Sequence, residues 1–258
     1  MEAVLVERDG PIVTVVLNRP EKLNALNKTM WARLGAVMRE LSAEDALRCV
    51  VLRGAGEKAF AAGADIAEFA RERANAEQAR AYGDLIHETM QSVARCRHPT
   101  LAMIHGACVG GGLEIAAMCD MRVCGESSRF GIPINRLGLT MAYGELQGLL
   151  ALVGRAVTLE ILLEGRVFDA QEALAKRLVN RVVPDAQVEE EAYALARRIA
   201  DGAPLVARWH KQFIERLSVT AHLSEAEWNE GFACFDTEDY RIGVEAFLKK
   251  EKPRFRGR

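Results

Sequence analysis

The chain has 258 residues, and its 50% hydrophobic content is enough for one large domain with a sizeable core. Its formal net charge is −2, and its 34 lysines and arginines are spread along the chain, which argues against nucleic acid as a partner. The six cysteines show no C-x-x-C pair and no zinc-like spacing, so we expect reduced thiols, no bound metal and a cytoplasmic location. No apolar run approaches transmembrane length and no targeting peptide precedes the first strand, so we expect no membrane partner.

Short β-rich runs alternate with helix-prone segments as far as residue 184, which indicates an α/β fold with partly parallel pairing. A helix is predicted over 25–41, with Asn24 or Asn27 as its cap. From Asp185 onward the pattern is helical only. The predicted strands cover 3–7, 12–17, 49–54, 99–104, 121–124 and 179–183.

Three consecutive glycines, Gly110 to Gly112, lie between a predicted strand and a predicted helix. Such a junction leaves the first amides of the helix unpaired, lets a ligand approach the backbone and favours negative charge. Glu114 follows within one turn, in an apolar helix where a carboxylate is costly unless it is used or paired. We interpret the stretch as an oxyanion site beside a functional carboxylate. The alternative is that the glycines only permit close packing and that Glu114 only interacts with the helix dipole.

A second loop of small residues, from Ala61 to Ala64, has the same character and ends at Asp65, where a helical stretch begins. Alanine and glycine keep side chains away from the backbone, so amide groups there are accessible to a ligand. The charged, helix-prone residues 70–97 are predicted to form an exposed helical segment over the pocket.

Four motifs follow one another along the chain. They are Leu17 to Leu26, Lys58 to Ile66, His105 to Glu114 with Cys119-Asp120, and Phe130 to Pro133 leading to Leu137-Gly138. Shorter segments near the C-terminus include Thr237-Glu238-Asp239 and Lys252-Pro253. Taken together, these segments resemble the enoyl-CoA hydratase/isomerase, or crotonase, superfamily over nearly the whole chain.

The resemblance implies an α/β spiral of ββα repeats with a C-terminal helical region used for trimerisation. We accordingly expect a core over residues 1–195 and an oligomerisation region over residues 196–258, in a homotrimer or a dimer of trimers. The implied substrate is an acyl-CoA thioester, with no cofactor beyond the CoA that is part of the substrate.

The resemblance also assigns roles to individual residues. The thioester oxygen is expected to accept hydrogen bonds from the amides of Ala64 and Gly111, which need no side chain for this role. Glu114 matches a glutamate that carries a proton. The positions that match the lining of the substrate and CoA pocket are Lys22, Ala25, Ala62, Asp65, Ile66 and Gly110.

One departure from the family pattern concerns the second glutamate that hydratases use. It would follow Pro133, where this chain has Ile134, which can neither take nor give a proton. Asn135 can position a water but is not a base. Glu145 either re-enters the site from the following helix or, as we favour, is only a first-turn residue of that helix. We expect Tyr143 to narrow the acyl pocket.

These features leave three functional hypotheses. The first is an enoyl-CoA hydratase-type enzyme that stabilises an enolate. The second is a double-bond isomerase, since one carboxylate suffices for a 1,3-proton shift. The third is a catalytically impaired homologue that binds CoA. A nucleotide-binding module is disfavoured because the chain has no P-loop lysine and no G-x-G-x-x-G.

Overall fold

The structure, a computed structural model, describes residues 2–220 and 222–258. Its strands are short, and several contain only two or three residues. They are β1 (Val4–Asp9), β2 (Ile12–Leu17), β3 (Cys49–Gly54), β4 (Ala59–Ala61), β5 (Thr100–Ile104), β6 (Ala107–Val109), β7 (Met121–Gly125), β8 (Arg129–Gly131), β9 (Phe168–Asp169) and β10 (Arg181–Val183).

Helices connect these strands and form the C-terminal part of the chain. They are α1 (Lys28–Ala43), α2 (Phe69–Glu72), α3 (Ala76–Ala94), α4 (Gly111–Met118), α5 (Tyr143–Glu164), α6 (Ala170–Ala175), α7 (Val188–Ala200), α8 (Pro204–Val219), α9 (Glu225–Glu230) and α10 (Glu238–Lys249).

The strands form two sheets, and both confirm the predicted α/β class. The larger sheet has the order β1-β2-β3-β5-β7-β10, antiparallel between β1 and β2 and parallel thereafter. The smaller sheet has the order β4-β6-β8-β9, and its first three strands are parallel. Strands β3, β5, β6, β7 and β8 each pair with the strand of their sheet from the preceding turn of the chain, as in a spiral of ββα repeats. The smaller sheet was not predicted, because strands of two or three residues leave almost no periodic signal.

Burial explains why the longer elements form where they do. All six residues of β2 are buried, as expected for an apolar strand covered on both faces. The helix predicted over 25–41 begins at Lys28, because Asn27 caps it by accepting a hydrogen bond from the Met30 amide at 2.8 Å. Asn24 is instead buried in the preceding loop, where its side-chain amide donates to Ala59 O at 2.8 Å.

Helix α7 packs on the larger sheet. Its residues Val188, Leu195 and Ala200 belong to one hydrophobic cluster with Val51 and Leu101 of the sheet. The predicted division between residues 195 and 196 therefore falls inside a helix of the core. The oligomerisation region that we propose below begins after Ala200.

Helix α5 is long and apolar enough to cross a bilayer by length and composition. We predicted no such segment. Its backbone is broken at Gly154, which has φ of 73° and ψ of 174°. The break leaves two shorter helical halves, and about 20 continuous residues are needed to span the hydrocarbon core of a membrane.

Candidate active site

Two loops of small residues meet at one edge of the smaller sheet. They follow β4 and β6, which are adjacent and parallel, so their carboxyl ends lie side by side. A Cβ placed on Gly63 would lie 3.3 Å from Val109 O and 3.9 Å from Gly111 N. The backbones of the two loops are therefore in contact.

The loops present two backbone amides that are free to bind a ligand. The Leu26 amide donates to Gly63 O at 2.8 Å and the Asp65 amide donates to Leu26 O at 2.9 Å, so the intervening Ala64 amide points away from Leu26. Gly111 is the first residue of α4, where an amide has no helical acceptor. Neither amide donates to another residue within the described parts of the chain.

Two of the three glycines are required by this geometry. Gly110 has φ of 52° and ψ of −126°, a conformation open to glycine and strained for other residues. Gly112 packs α4 directly on β4, since a Cβ at this position would lie 2.3 Å from Ala61 O. The glycines therefore have the packing role of our alternative interpretation as well as exposing an amide.

We predict that Gly112→Ala destabilises the protein by about 1–3 kcal/mol, because the added methyl group must push α4 away from β4. Thermal unfolding measures the effect. Gly83→Ala is the matched control, since Gly83 lies within α3 and has no atom within 4 Å of a built Cβ. It should stabilise the helix by roughly 0.5–1 kcal/mol. Equal melting temperatures for Gly112→Ala and the wild type would show that α4 is not in tight contact with β4.

A cavity of about 130 Å³ opens beside the two amides. Glu114, on α4, lines it and is only 7% exposed. The other lining residues are mostly apolar. They are Trp31, Ala62, Gly63, Ala64, Ile66, Phe69, Arg73, Ile86, Val109, Gly110, Gly111, Pro133, Ile134, Leu137, Leu139, Thr140 and Glu145.

A second carboxylate, that of Glu145, lines the same cavity. Glu145 is in the first turn of α5, as favoured from sequence, and its Oε2 accepts a hydrogen bond from the Ala142 amide at 2.9 Å. The expectation that it is only a first-turn residue is wrong, because the packing of α5 against α4 also brings its carboxylate to the site. The cavity therefore contains two glutamates although Ile134 occupies the position of the second hydratase glutamate.

The two carboxyl groups influence each other. Burial raises the pKa of Glu114 to about 8, with the charge of Glu145 contributing to the rise and Arg73 partly opposing it. Burial also raises the pKa of Glu145, against the Ala142 hydrogen bond and the charge of Arg73. The hydrogen bond to Ala142 stabilises the ionised form of Glu145. Of the two carboxyl groups, Glu114 has the more strongly raised pKa and holds its proton through neutral pH.

Two residues that were expected at the acyl pocket, Asn135 and Tyr143, do not line the cavity. Ile134 lines the cavity as an apolar wall. Asn135 does not, because its side-chain amide donates to Leu163 O at 3.0 Å, so it is not placed to hold a water there. The prediction that Tyr143 narrows the pocket is wrong, because its side chain is 91% exposed and it is not among the residues that line the cavity.

Three of the six predicted binding positions line the cavity, and three do not. Ala62, Ile66 and Gly110 are lining residues, but Lys22, Ala25 and Asp65 are not. Lys22 is exposed at the end of a 3-10 turn. Arg19 connects Ala25 and Asp65. Its guanidinium donates a hydrogen bond to Ala25 O at 2.7 Å and forms an ion pair with Asp65 at 2.9 Å.

Sequence reasoning missed Arg73 as a lining residue. Segment 70–97 was predicted to cover the pocket, and Arg73 and Ile86 do so. The sequence did carry a signal, because Arg73 lies four residues after Phe69, on a predicted helical stretch that begins beside the second loop.

Of the described residues, no group of three or more His, Cys, Asp or Glu side chains is arranged to hold a metal ion.

Comparison with known proteins places these features in a family context. Residues 7–258 match the family model described as "Enoyl-CoA hydratase/isomerase". The chain is 35% identical over 251 residues to "Short-chain-enoyl-CoA hydratase" of Clostridium acetobutylicum, covering 96% of this chain and 95% of that protein. It is 37% identical over 260 residues to "Probable enoyl-CoA hydratase" of Rhizobium meliloti, covering 100% and 99%. A crystal structure of "an enoyl-CoA hydratase/ carnithine racemase" from Magnetospirillum magneticum superimposes with a TM-score of 0.98 at 50% identity, covering 100% and 97% of the two chains.

Proposed function

The chain belongs to the enoyl-CoA hydratase/isomerase family, and from this membership we propose that it adds water to the double bond of a 2-enoyl-CoA thioester. It is an enoyl-CoA hydratase-like enzyme acting on acyl-CoA. The observation that carries the finer proposal is that Glu114 and Glu145 line one cavity with the unpaired amides of Ala64 and Gly111.

The thioester carbonyl oxygen accepts hydrogen bonds from the amides of Ala64 and Gly111. Negative charge develops on this oxygen when a nucleophile adds to the conjugated double bond. Preorganised donors in a site with few waters stabilise that charge, and removal of one such donor typically costs about 10²–10³ in rate. The positive end of the α4 dipole acts on the same oxygen.

Glu114 and Glu145 move the protons. The Glu145 carboxylate takes a proton from water as the water oxygen bonds to C3 of the acyl chain, and protonated Glu114 gives its proton to C2. A proton transfer from Glu145 to Glu114, directly or through solvent, then restores the starting state. The raised pKa of Glu114 keeps it protonated at neutral pH, as an acid in this role requires.

Double-bond isomerisation is the second candidate, and the apolar wall formed by Ile134 favours it. A dry wall provides no partner for an attacking water, whereas one carboxylate can remove a proton from one carbon and return it to another. A catalytically impaired homologue that binds CoA is the third. The buried Glu114 and the half-buried Glu145 beside two free amides argue against it, because burying such groups without use is costly.

A panel of short, long and branched 2-enoyl- and 3-enoyl-CoA thioesters separates these candidates. We expect water addition to a 2-enoyl thioester, measured as loss of the conjugated thioester absorbance together with the mass of the 3-hydroxyacyl product. Movement of the double bond without water addition would replace the hydratase proposal with the isomerase. Binding of CoA, detected by thermal shift, without turnover of any thioester would leave the impaired homologue.

We propose that the CoA moiety extends past Lys22, Ala25 and Asp65 outside the acyl cavity. Lys22 is exposed and positively charged, which suits the phosphates of CoA. The ion pair of Arg19 with Asp65 fixes the loop that carries Ala64. Asp65 therefore supports the site by positioning the backbone of this loop.

We also propose a homotrimer or a dimer of trimers built through residues 201–258. Helices α8 to α10 leave large apolar side chains uncovered, and exposed apolar groups on this scale are typical of protein interfaces. Light scattering at micromolar concentration should give a multiple of three chains, and a monomer would contradict the proposal. The most exposed of these side chains are Ile214 (69%), Val219 (79%), Trp228 (66%), Phe247 (83%) and Leu248 (76%).

A cytoplasmic location stays part of the proposal. Burial raises the pKa of the thiols of Cys49, Cys119 and Cys124 to about 12, so these thiols are unreactive. The described cysteines are free, which suits a reducing compartment.

A further inference from the structure

Arg73 is a positively charged residue in the wall of the acyl cavity. It follows α2 directly, and its guanidinium carbon lies 4.7 Å from the ring centroid of Phe69 and 4.0 Å from that of Tyr82. Phe69 also lines the cavity, and Tyr82 is buried on α3. The two rings thus hold the guanidinium at the cavity wall through cation–π contacts.

The guanidinium has no carboxylate partner of its own. In the described ranges, no Asp or Glu oxygen lies within 4.0 Å of its nitrogen atoms, although Glu114 and Glu145 line the same cavity. Arg73 is half-buried, and its Nε atom is buried without a hydrogen-bond acceptor among the described residues. A buried donor without an acceptor is costly, so the unfilled position at Nε points to an acceptor supplied by a ligand.

The surroundings indicate which group that is. Among the described lining residues, Arg73 is the only cation, and the cavity wall also includes apolar side chains such as Phe69, Ile86 and Leu139. A guanidinium binds a carboxylate through two parallel hydrogen bonds, which makes arginine selective for this group. The cavity volume of about 130 Å³ suits a short acyl chain.

We propose that Arg73 binds a carboxylate at the far end of the acyl group, so that the preferred substrate is a short 2-enoyl-CoA thioester whose acyl chain ends in a carboxylate. The double bond of this substrate rests on the function proposed above, whereas the binding of the carboxylate by Arg73 does not. An anionic acyl group is compatible with the two glutamates, because the raised pKa of Glu114 reduces the negative charge at the site near neutral pH.

Binding of unreactive ligands tests the inference separately from turnover. The ligands are glutaryl-CoA and its distal methyl ester, which have the same acyl backbone and no double bond. Isothermal titration calorimetry gives the ratio of their dissociation constants. We expect the wild type to prefer glutaryl-CoA by about 10- to 100-fold, the range of a hydrogen bond to a charged group.

Substitutions then assign the preference to Arg73. Arg73→Gln should reduce the ratio to near one, and Arg73→Lys should keep part of it, since lysine retains the charge without the planar fork. Arg71→Gln is the matched control and should keep the wild-type ratio. Arg71 is in α2, just before Arg73, but its side chain is 74% exposed and pairs with Glu72 at 2.9 Å, outside the cavity.

Two results would overturn the inference. One is equal affinity of the wild type for the acid and the ester. The other is an equal weakening of both ligands in Arg73→Gln, which would show that Arg73 only balances the charge of the glutamates. An active hydratase without the preference would retain the proposed function and reject this inference. A protein that shows the preference but turns over no enoyl thioester would retain this inference and reject the proposed function.

Discussion

Replacing Glu114 with glutamine is expected to lower the turnover of 2-enoyl-CoA by about 10²–10⁴-fold, the usual contribution of one positioned acid or base. Glutamine keeps the shape of the side chain and cannot give the proton to C2. The affinity for butyryl-CoA should change little, because the amides of Ala64 and Gly111 that we propose hold the thioester belong to the backbone. Steady-state kinetics and calorimetry measure the two effects. Near wild-type turnover would remove Glu114 from the mechanism.

The same substitution should stabilise the fold at high pH. The pKa of Glu114 is about 8 in the folded protein against an ordinary value of 4.5, so the folded state binds the proton more tightly than the unfolded state. Stability is therefore lost as pH rises from about 4.5 through 8. Glu114→Gln should melt at a higher temperature than the wild type at pH 9, with a much smaller difference at pH 4.5. An equal difference at both pH values would show that the carboxyl group is not buried.

Replacing Glu145 with glutamine is expected to lower water addition by about 10²–10⁴-fold, because the attacking water loses its base. The side-chain carbonyl of the introduced glutamine can still accept the hydrogen bond from the Ala142 amide, so the start of α5 should be retained. The substitution also removes a charge that contributes to the raised pKa of Glu114. The alkaline limb of the pH profile of the remaining activity should therefore move to lower pH.

Glu164→Gln is the control for Glu145→Gln. Glu164 is the last residue of the same helix, is exposed and lies outside the cavity. It should leave both the rate and the pH profile as in the wild type. If Glu145→Gln keeps its hydration rate while Glu114→Gln loses it, the site operates with a single carboxylate, and isomerisation becomes the favoured reaction.

The long elements of the larger sheet could be predicted from the sequence, and the smaller sheet could not. The strand β2 is a continuous run of buried residues, and Asn27 is a local cap, so the information for both lies within a few positions. Strands such as β4 and β8 exist because they pair with a neighbour from another turn of the chain. Such pairing depends on tertiary contacts that short apolar segments do not encode.

The candidate site also contains residues that could be predicted from the sequence and residues that could not. The family resemblance identified the amides of Ala64 and Gly111, and residue type agrees, because small residues in two loops leave the backbone accessible. The position of Glu145 depends on the angle at which α5 packs on α4, which first-turn position alone does not specify. The exposure of Tyr143 has the same cause. Arg73 was missed because one arginine in a charged segment resembles any solvated residue.

The strand order of the larger sheet has a consequence for hydrogen exchange. Because each strand pairs with the one before it in the sheet, β1 and β10 are the edges and β3 and β5 lie between neighbours on both sides. An edge strand can open without disturbing the others, whereas an interior strand requires disruption on two sides. Amide protons of β3 and β5 should thus exchange slowest, with protection decreasing towards both ends of the sheet. The Gly111 loop follows closely on β5, so the amide that we propose binds the thioester oxygen is tied to the part of the molecule that opens last.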